Sequence, residues 1–202
     1  MTLETTSLTP SQDATRNTIL ESSRELFARF GYKKTTMEDI AATMRKGKSS
    51  LYYYFKNKED IFQAVIELES DLYFSRLKEV VHSDREPSVK LKDYVLVRME
   101  LMGELKNFQR VLKEGIYGGY EFLGGVNEKA EAVEADLLKS ILDEGVIHNL
   151  FSVKNTRIAA IGIGTALRGL EIPIFRGFET PALFHEEVEN ILSILFYGIM
   201  KR

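Results

Sequence analysis

The chain lacks cysteine altogether, and it has no apolar run of the length that crosses a membrane. The first absence excludes disulfides, thiol nucleophiles and cysteine-based zinc or iron–sulfur sites. The second argues against a transmembrane helix, which needs about 20 consecutive apolar residues. The first residues are polar and do not follow the charged-then-apolar order of a signal peptide. We therefore expect a cytoplasmic protein that makes no membrane contact.

Histidine, the commonest general acid or base, is also scarce. There are only three histidines, and they are scattered along the chain. Glu144 and His148 are four residues apart, but two ligands do not make a metal site. We find no convincing nucleophile or acid–base pair, so we predict no catalytic residue, no metal and no cofactor. An all-helical enzyme is the least favoured function, and loss of a turnover on mutating Glu144 or His148 would revive it.

Charge is distributed unevenly along the 202 residues. The formal net charge is −3, yet residues 33–58 hold seven lysines and arginines against two acids, which is 7 − 2 = +5. The remainder therefore sums to −8. A basic segment on an otherwise acidic chain is typical of a surface that contacts nucleic acid, although basic residues also gather on ordinary solvated faces.

The hydrophobic pattern predicts an all-α protein of about nine helices, because no segment alternates with period two. The first helix starts at Thr9-Pro10 and stops at Gly31, with Ile19, Leu26 and Phe30 on its apolar face. The fourth starts at residue 57 and runs to about residue 81.

Two short helices between these long ones form the most informative part of the sequence. Thr36 is the expected N-cap of the second helix, and the third helix covers roughly residues 48–55 after a turn that contains Gly47. Leu51 and Phe55 lie four residues apart and are expected to pin the third helix to a core. Two such helices joined by a glycine-containing turn match the helix-turn-helix unit, and the first helix completes a three-helix headpiece.

Later helices are expected over residues 88–105, 107–117 and 127–144, followed by a loop at 145–151. The eighth helix is expected to begin near Ser152 and to stop before Pro173. The ninth begins at Thr180-Pro181, where a cap precedes a proline.

Three blocks give the headpiece its identity: residues 27–32 (FARFGY), 35–41 (TTMEDIA) and 51–62 (LYYYFKNKEDIF). In order and spacing they resemble the TetR family of bacterial transcriptional regulators. The resemblance implies a homodimer that binds a palindromic operator in double-stranded DNA, with a C-terminal helical domain that binds a small-molecule effector. On this basis residues 1–8 form a disordered arm, 9–57 the DNA-binding domain, and 58–202 the effector-binding and dimerisation domain.

The resemblance also implies the DNA-contacting positions. The base-facing positions fall on Lys48, Ser49, Ser50 and Tyr52. The phosphate-contacting positions fall on Thr36, Tyr53 and Lys58, with Tyr54 and Lys56 as their neighbours, and Lys46 is a further DNA-binding candidate. Two residues depart from the family pattern: Gly47 replaces a small hydroxyl cap, and Lys46 replaces an apolar residue in the turn. Glycine is an acceptable N-cap, so the third helix is still expected.

An effector pocket and a dimer seam are the remaining predicted sites. Polarisable and aromatic side chains around the fifth and sixth helices suit a promiscuous apolar pocket, or an ordinary core: Met99, Met102, Phe108, Tyr117, Tyr120 and Phe122. Arg98, Glu114 and Arg168 are the charged residues nearby, and each is expected to be solvated. Small and apolar residues of the last two helices suit a dimer seam, or packing within one subunit: Gly162, Ala166, Gly169, Val188, Ile191, Leu192, Leu195, Phe196 and Ile199.

The favoured function is therefore a repressor that a small lipophilic or aromatic effector releases from DNA. An activator or a constitutive DNA binder of the same fold is the alternative, since sequence does not set the sign of regulation. A helical adaptor whose headpiece no longer binds DNA is a further alternative, suggested by the Lys46 and Gly47 departures.

Overall fold

The structure is a computed structural model that describes residues 10–44, 47–114, 120–177 and Ser193. The described residues are almost entirely α-helical and contain no β-strand, as the hydrophobic pattern predicts. None of the helices among them combines the length and the apolar character that crossing a bilayer requires.

The described residues contain eight α-helices and one short 3-10 helix at Glu121–Leu123. The α-helices are α1 (Pro10–Phe30), α2 (Met37–Thr43), α3 (Lys48–Tyr54), α4 (Lys58–Val81), α5 (Pro87–Glu104), α6 (Lys106–Glu114), α7 (Val126–Ile147) and α8 (Thr156–Gly177). The predicted ninth helix, and its cap at Thr180-Pro181, lie outside the described residues.

Local sequence signals determine where the headpiece helices start and stop. Gly31 ends α1 with a positive φ of 82°, a backbone conformation that favours glycine. Thr36 caps α2 in a reciprocal capping box, in which its hydroxyl accepts from the Asp39 amide and Asp39 accepts from the Thr36 amide. Gly47 precedes α3 with an extended backbone and no side-chain cap.

The helix faces that point into the headpiece core are mostly the predicted ones. Ile19, Ile40, Leu51 and Phe55 are all buried. The prediction is wrong for Phe30, which is 49% exposed. Phe30 is the last residue of α1, where the chain turns away, and the guanidinium of Arg29 lies over its ring instead.

The described chain divides into two compact units. The first comprises the described residues up to Asp71 together with those between Leu105 and Gly124; the second comprises Leu72–Glu104 and the residues from Gly125 onward. In the first unit α2 packs on both α1 and α3, and α6 packs on α1. In the second, α7 packs on α5 and α8. The predicted division at residues 57 and 58 is a functional one and stays a prediction.

The bounds of α8 correct two predictions. It begins at Thr156 rather than near Ser152, because Asn155 caps it by accepting a hydrogen bond from the Ile158 amide. It also continues through Pro173 to Gly177. Proline removes one backbone hydrogen bond and crowds one carbonyl, and the other hydrogen bonds of this long helix hold it together.

The predicted loop at 145–151 starts too early, because α7 continues to Ile147. The carbonyl of Gly145, inside α7, accepts hydrogen bonds from the amides of Leu150 and Phe151, which turns the chain back over the helix end. The buried ring of Phe151 then lies directly against Gly145. A Cβ at this position would come closer than 3.0 Å to three carbons of that ring.

We predict that Gly145→Ala destabilises the protein by about 1–3 kcal/mol, because the new methyl group forces the buried Phe151 ring to move. Thermal or urea unfolding measures the effect. Gly103→Ala is the matched control. Gly103 lies in α5, where an added Cβ would meet no neighbouring atom within 4 Å, so the substitution should be neutral or stabilising. Equal stabilities for the two variants would contradict the packing described here.

Candidate nucleic-acid interface

Helix α3 is held by one face and presents the others to solvent. Leu51 is its buried residue, and Phe55 ends the helix with a buried ring. An exposed surface follows from the remaining residues: Lys48, Ser49, Tyr52 and Tyr53 are exposed, while Ser50 and Tyr54 are half-buried. All four residues predicted to face the bases therefore lie on one short, accessible helix, and Lys46 lies outside the described residues.

The side chain of Lys48 is paired within the headpiece. Its ammonium forms an ion pair with Glu38 of α2 and lies 5.9 Å from the Tyr52 ring centroid. The hydrogen bond from Lys48 lowers the pKa of the Glu38 carboxyl and raises that of the lysine. Both groups are exposed, so the pair adds little stability. Glu38 does hold the ammonium beside the surface that α3 presents.

Tyrosines at the end of α3 form a second exposed group. Tyr53 is 66% exposed, its ring contacts the Tyr54 ring edge-on at 4.9 Å, and its hydroxyl accepts a hydrogen bond from Gln12 at 2.7 Å. Because a phenol both accepts and donates, Tyr53 retains its own O–H to offer to a phosphate. Gln12 lies at the start of α1, so the two ends of the headpiece sequence meet here.

Lys58 has a structural role that the sequence did not indicate. Its ammonium donates to the carbonyl oxygens of Tyr32 and Thr35, both at 2.9 Å, and lies 4.3 Å from the Tyr32 ring centroid. These contacts fix the turn between α1 and α2 and commit two of the three ammonium donors. The third remains for an anion. Lys56, two residues earlier, is exposed.

The start of α4 caps itself. The side chain of Asn57 accepts from the amide of Asp60, and Asp60 accepts from the amide of Lys56. One of the free amide groups at the N-terminus of α4, that of Asp60, is therefore already satisfied.

A buried carboxylate joins the headpiece to the rest of the first unit. Glu69 of α4 accepts hydrogen bonds from the Arg24 guanidinium at 3.0 Å, the Asn107 side chain at 3.0 Å and the Phe108 backbone amide at 2.8 Å. It thereby holds the start of α6 against α1. Arg110 of α6 also donates to the carbonyls of Phe27 and Ala28 near the end of α1.

Aromatic rings extend this link to the residues after α6. The Tyr32 ring lies 4.8 Å from Phe62 and 5.3 Å from Phe122, and Phe62 stacks on Tyr120 at 5.7 Å. Burial, followed by a hydrogen bond to Glu114, raises the pKa of Tyr120 to about 12, so its hydroxyl stays protonated.

The residues predicted to line an effector pocket fall in both units. Met99 and Met102 are buried in the second unit, whereas Phe108 and Tyr120 are buried in the first, where Phe122 is partly exposed. Tyr117 lies outside the described residues. This pocket stays a prediction.

Burial corrects the expectation for one of the charged residues nearby. Arg98 is not solvated but only 1% exposed, and it pairs with Glu134 at 2.8 Å. Glu114 is exposed, and Arg168 is half-buried. The described parts of the chain hold no group of three or more potential metal ligands.

The predicted dimer seam is exposed where the structure describes it. Gly162, Ala166 and Gly169 lie on one face of α8, together with Ile158, which is 67% exposed, and Ile161. The remaining predicted seam residues lie outside the described residues: Val188, Ile191, Leu192, Leu195, Phe196 and Ile199.

A three-helix headpiece that presents α3 on an exposed polar surface defines a helix-turn-helix DNA-binding protein. Residues 19–65 match the family model described as "Bacterial regulatory proteins, tetR family". The headpiece of the chain matches the TetR family, and the chain is a DNA-binding transcriptional regulator.

One relative and two solved structures of similar fold show how far the similarity extends. The transcriptional regulator RutR of Escherichia coli O157:H7 is 28% identical, over 94% of this chain and 92% of its own. A transcriptional regulator from Cytophaga hutchinsonii has a similar structure, with a TM-score of 0.76, 24% identity, and coverage of 94% and 100%. AibR, crystallised with isovaleryl coenzyme A and operator DNA, gives a TM-score of 0.68, 21% identity, and coverage of 90% and 97%.

We predict that Lys58→Met lowers the free energy of unfolding by about 1–2 kcal/mol, since the two carbonyls lose a charged donor. Lys56→Met is the matched control, because it removes the same charge from an exposed neighbour and should leave stability nearly unchanged. Chemical denaturation of both variants compares them directly. If Lys58→Met unfolds no more easily than Lys56→Met, the ammonium does not hold the turn.

Proposed function

We propose that this regulator is a dimeric repressor that binds a palindromic operator and that a small effector releases. The observation that carries the DNA half is the short helix α3, which buries Leu51 and leaves Lys48, Ser49 and Tyr52 exposed. Bound over a promoter, such a dimer blocks transcription by occupying the DNA. Its place of action is then the cytoplasm, and its function requires no catalytic chemistry.

The side chains on α3 and around it divide into two roles. Lys48, Ser49, Ser50 and Tyr52 read base edges in the major groove, where a lysine ammonium can donate to the two acceptors of guanine. Backbone phosphates are held by Thr36, Lys46, Tyr53, Tyr54, Lys56 and Lys58. Phosphate contacts set the affinity and the register, while base contacts set the sequence preference.

Glu38 is expected to modulate base reading by Lys48, the first of these two roles. Lys48 must leave the Glu38 carboxylate before it reaches a base. A phosphate on random DNA therefore competes with an internal anion for the same ammonium. We expect this competition to weaken non-specific binding more than operator binding, where Lys48 gains a well-oriented base contact.

Helix α8 supplies the described part of the dimer interface. Its exposed face of small and apolar residues extends over about three turns, from Ile158 to Gly169. Small residues allow two helices to approach closely, and an apolar face of this length is buried when a second copy covers it. A dimer then places the two recognition helices about 34–36 Å apart, one turn of B-DNA.

For an effector to release the DNA, its binding must change the headpiece conformation. Within the first unit, the contacts of α6 with α1 can transmit such a change. Glu69 and Arg110 join α6 to α1, and Phe62 stacks on Tyr120 beyond α6. An effector that favours a different position of α6 or α4 changes the headpiece through these contacts. Only a difference in its affinity for the two conformations is needed. AibR, solved with both a ligand and operator DNA, supports this type of regulation.

We predict that Lys48→Ala weakens binding to the operator by about 1–3 kcal/mol and relaxes the preference at one base pair. The operator is obtained by selecting bound DNA from a random pool, and fluorescence anisotropy measures its affinity. Lys33→Ala is the control, since it removes another exposed headpiece charge that has no predicted base contact. Identical base preferences in wild type and Lys48→Ala would contradict the base-reading role.

In the same assay, Glu38→Gln tests whether the Glu38 carboxylate competes with DNA phosphates for the Lys48 ammonium. It retains the shape of the side chain and removes its charge, so binding to random DNA should strengthen more than binding to the operator. A uniform change for both kinds of DNA would show that Glu38 acts only through the net charge.

We predict that Ala166→Glu converts the dimer to a monomer, because it places a charge in the middle of the α8 face. Sedimentation or light scattering reads the mass, and operator affinity should fall steeply with it. Ser140→Glu on the exposed side of α7 is the control and should remain dimeric. A dimeric Ala166→Glu protein would rule out this face as the seam.

A further inference from the structure

The first two turns of α1 pack against the end of α3, and Arg16 lies at this contact. Gln12 donates to the hydroxyl of Tyr53 at 2.7 Å. Arg16 follows Gln12 by four residues, so both side chains leave α1 on the same face. Its guanidinium lies over the Phe55 ring, 5.3 Å from the ring centroid. The start of α1 therefore adjoins the end of α3 that carries Tyr53.

The surroundings of Arg16 differ from those of Arg24, the next arginine of α1. Arg24 forms an ion pair with the buried carboxylate of Glu69. Within the described parts of the chain Arg16 forms no ion pair, either with Asp13 on the preceding turn of α1 or with Asp60 at the start of α4. The aromatic ring attracts its positive charge, but the five N–H donors of the guanidinium lack a carboxylate acceptor.

The position of Arg16 suits a partner that comes from outside the chain. The residue is half-buried, and the Phe55 ring beneath it is only 6% exposed. Contact with a fixed ring restricts the long side chain before any partner binds, which lowers the entropic cost of binding. A guanidinium is also more weakly hydrated than an ammonium, so it gives up water to an anion more readily.

The neighbours of Arg16 are residues to which we assign phosphate contacts. Tyr53 is exposed and adjoins α1 through Gln12, and Lys56, which directly follows Phe55, is exposed as well. A phosphate held by Tyr53 or Lys56 therefore lies on the side of the headpiece where the Arg16 guanidinium ends. Parallel N–H donors of an arginine match two oxygens of one phosphate.

We propose that Arg16 is a further phosphate contact, so that the DNA interface continues from α3 onto the first two turns of α1. Phe55 then has two roles, because it pins α3 to the core and orients the guanidinium. The inference rests on the proposed function, in which α3 lies in the major groove and Tyr53 contacts the backbone. It adds a residue that the motifs of the headpiece did not indicate.

The first test measures how operator binding depends on salt. Arg16→Gln should bind the selected operator about tenfold more weakly, a loss typical of one hydrogen bond to a charged group. The slope of log affinity against log salt concentration should flatten by about 0.9, because one fewer phosphate is neutralised. Base preference should not change, since a phosphate contact carries no sequence information. Fluorescence anisotropy over a series of KCl concentrations measures all three.

Arg29→Gln is the matched control for this test. Arg29 lies on the same helix and also stands over a phenylalanine ring, that of Phe30, at 5.0 Å. Both variants therefore lose one positive charge and one contact with a ring, and their melting temperatures should be similar. Arg29→Gln should keep the wild-type salt slope. If the two variants bind DNA alike, Arg16 acts only through net charge or packing, and the assignment is wrong.

Arg16→Lys separates the charge of the side chain from its planar shape. The lysine still neutralises a phosphate, so the salt slope should stay at the wild-type value. Affinity should fall, because an ammonium binds phosphate as a point charge rather than through two parallel bonds. A slope as flat as that of Arg16→Gln would show that the charge at this position does not meet the DNA.

A neutral phosphate identifies the contact itself. A series of operators carries one methylphosphonate each, placed in turn along the half-site. Wild type should lose affinity at the phosphate that Arg16 contacts, whereas Arg16→Gln should lose nothing further there. The same comparison with Tyr53→Phe should locate its phosphate at the same or the adjacent position. Losses that add to that of Arg16→Gln at every position would overturn the proposal.

The wild-type protein distinguishes failure of this inference from failure of the proposed function. If wild type selects an operator and Arg16→Gln keeps the full salt slope, the Arg16 contact is wrong and the DNA-binding role of α3 stands. If wild type selects no operator at all, the proposed function itself is wrong.

Discussion

The burial of Leu51 and Phe55 is the contact on which DNA recognition depends. Helix α3 has only seven residues, and Gly47 gives it no side-chain cap. An isolated helix of that length is unstable in water, where about 12–15 residues are needed. Packing of these two side chains against the three-helix core therefore keeps α3 folded, and every residue that we propose to face the bases takes its position from them.

The same core connects the exposed face of α3 with the rest of the first unit. Lys58 fixes the turn between α1 and α2, and Glu69 holds α1 to α6. Each uses one charged group to satisfy several backbone or side-chain partners. Since α4 carries both residues, a displacement of this one helix alters both the α1–α2 turn and the contact between α1 and α6. This arrangement explains how a regulator can respond to an effector without any change in α3 itself.

Features set by neighbouring residues were predictable from the sequence. The N-cap at Thr36, the end of α1 at Gly31 and the buried pair on α3 all follow from local spacing, and the structure confirms them. Pairings between distant residues were not predictable. The Lys58 contacts with Tyr32 and Thr35, the Glu38–Lys48 pair and the burial of Arg98 depend on tertiary packing. Pro173 misled the prediction because a long helix tolerates one missing hydrogen bond.

Hydroxyl-radical footprinting of the selected operator tests the central claim most directly. Two copies of the headpiece, each with α3 in a major groove, should protect two patches on one face of the DNA, about 10 base pairs apart and related by two-fold symmetry. A single protected patch, or protection without regard to sequence, would contradict the account of a dimeric helix-turn-helix regulator.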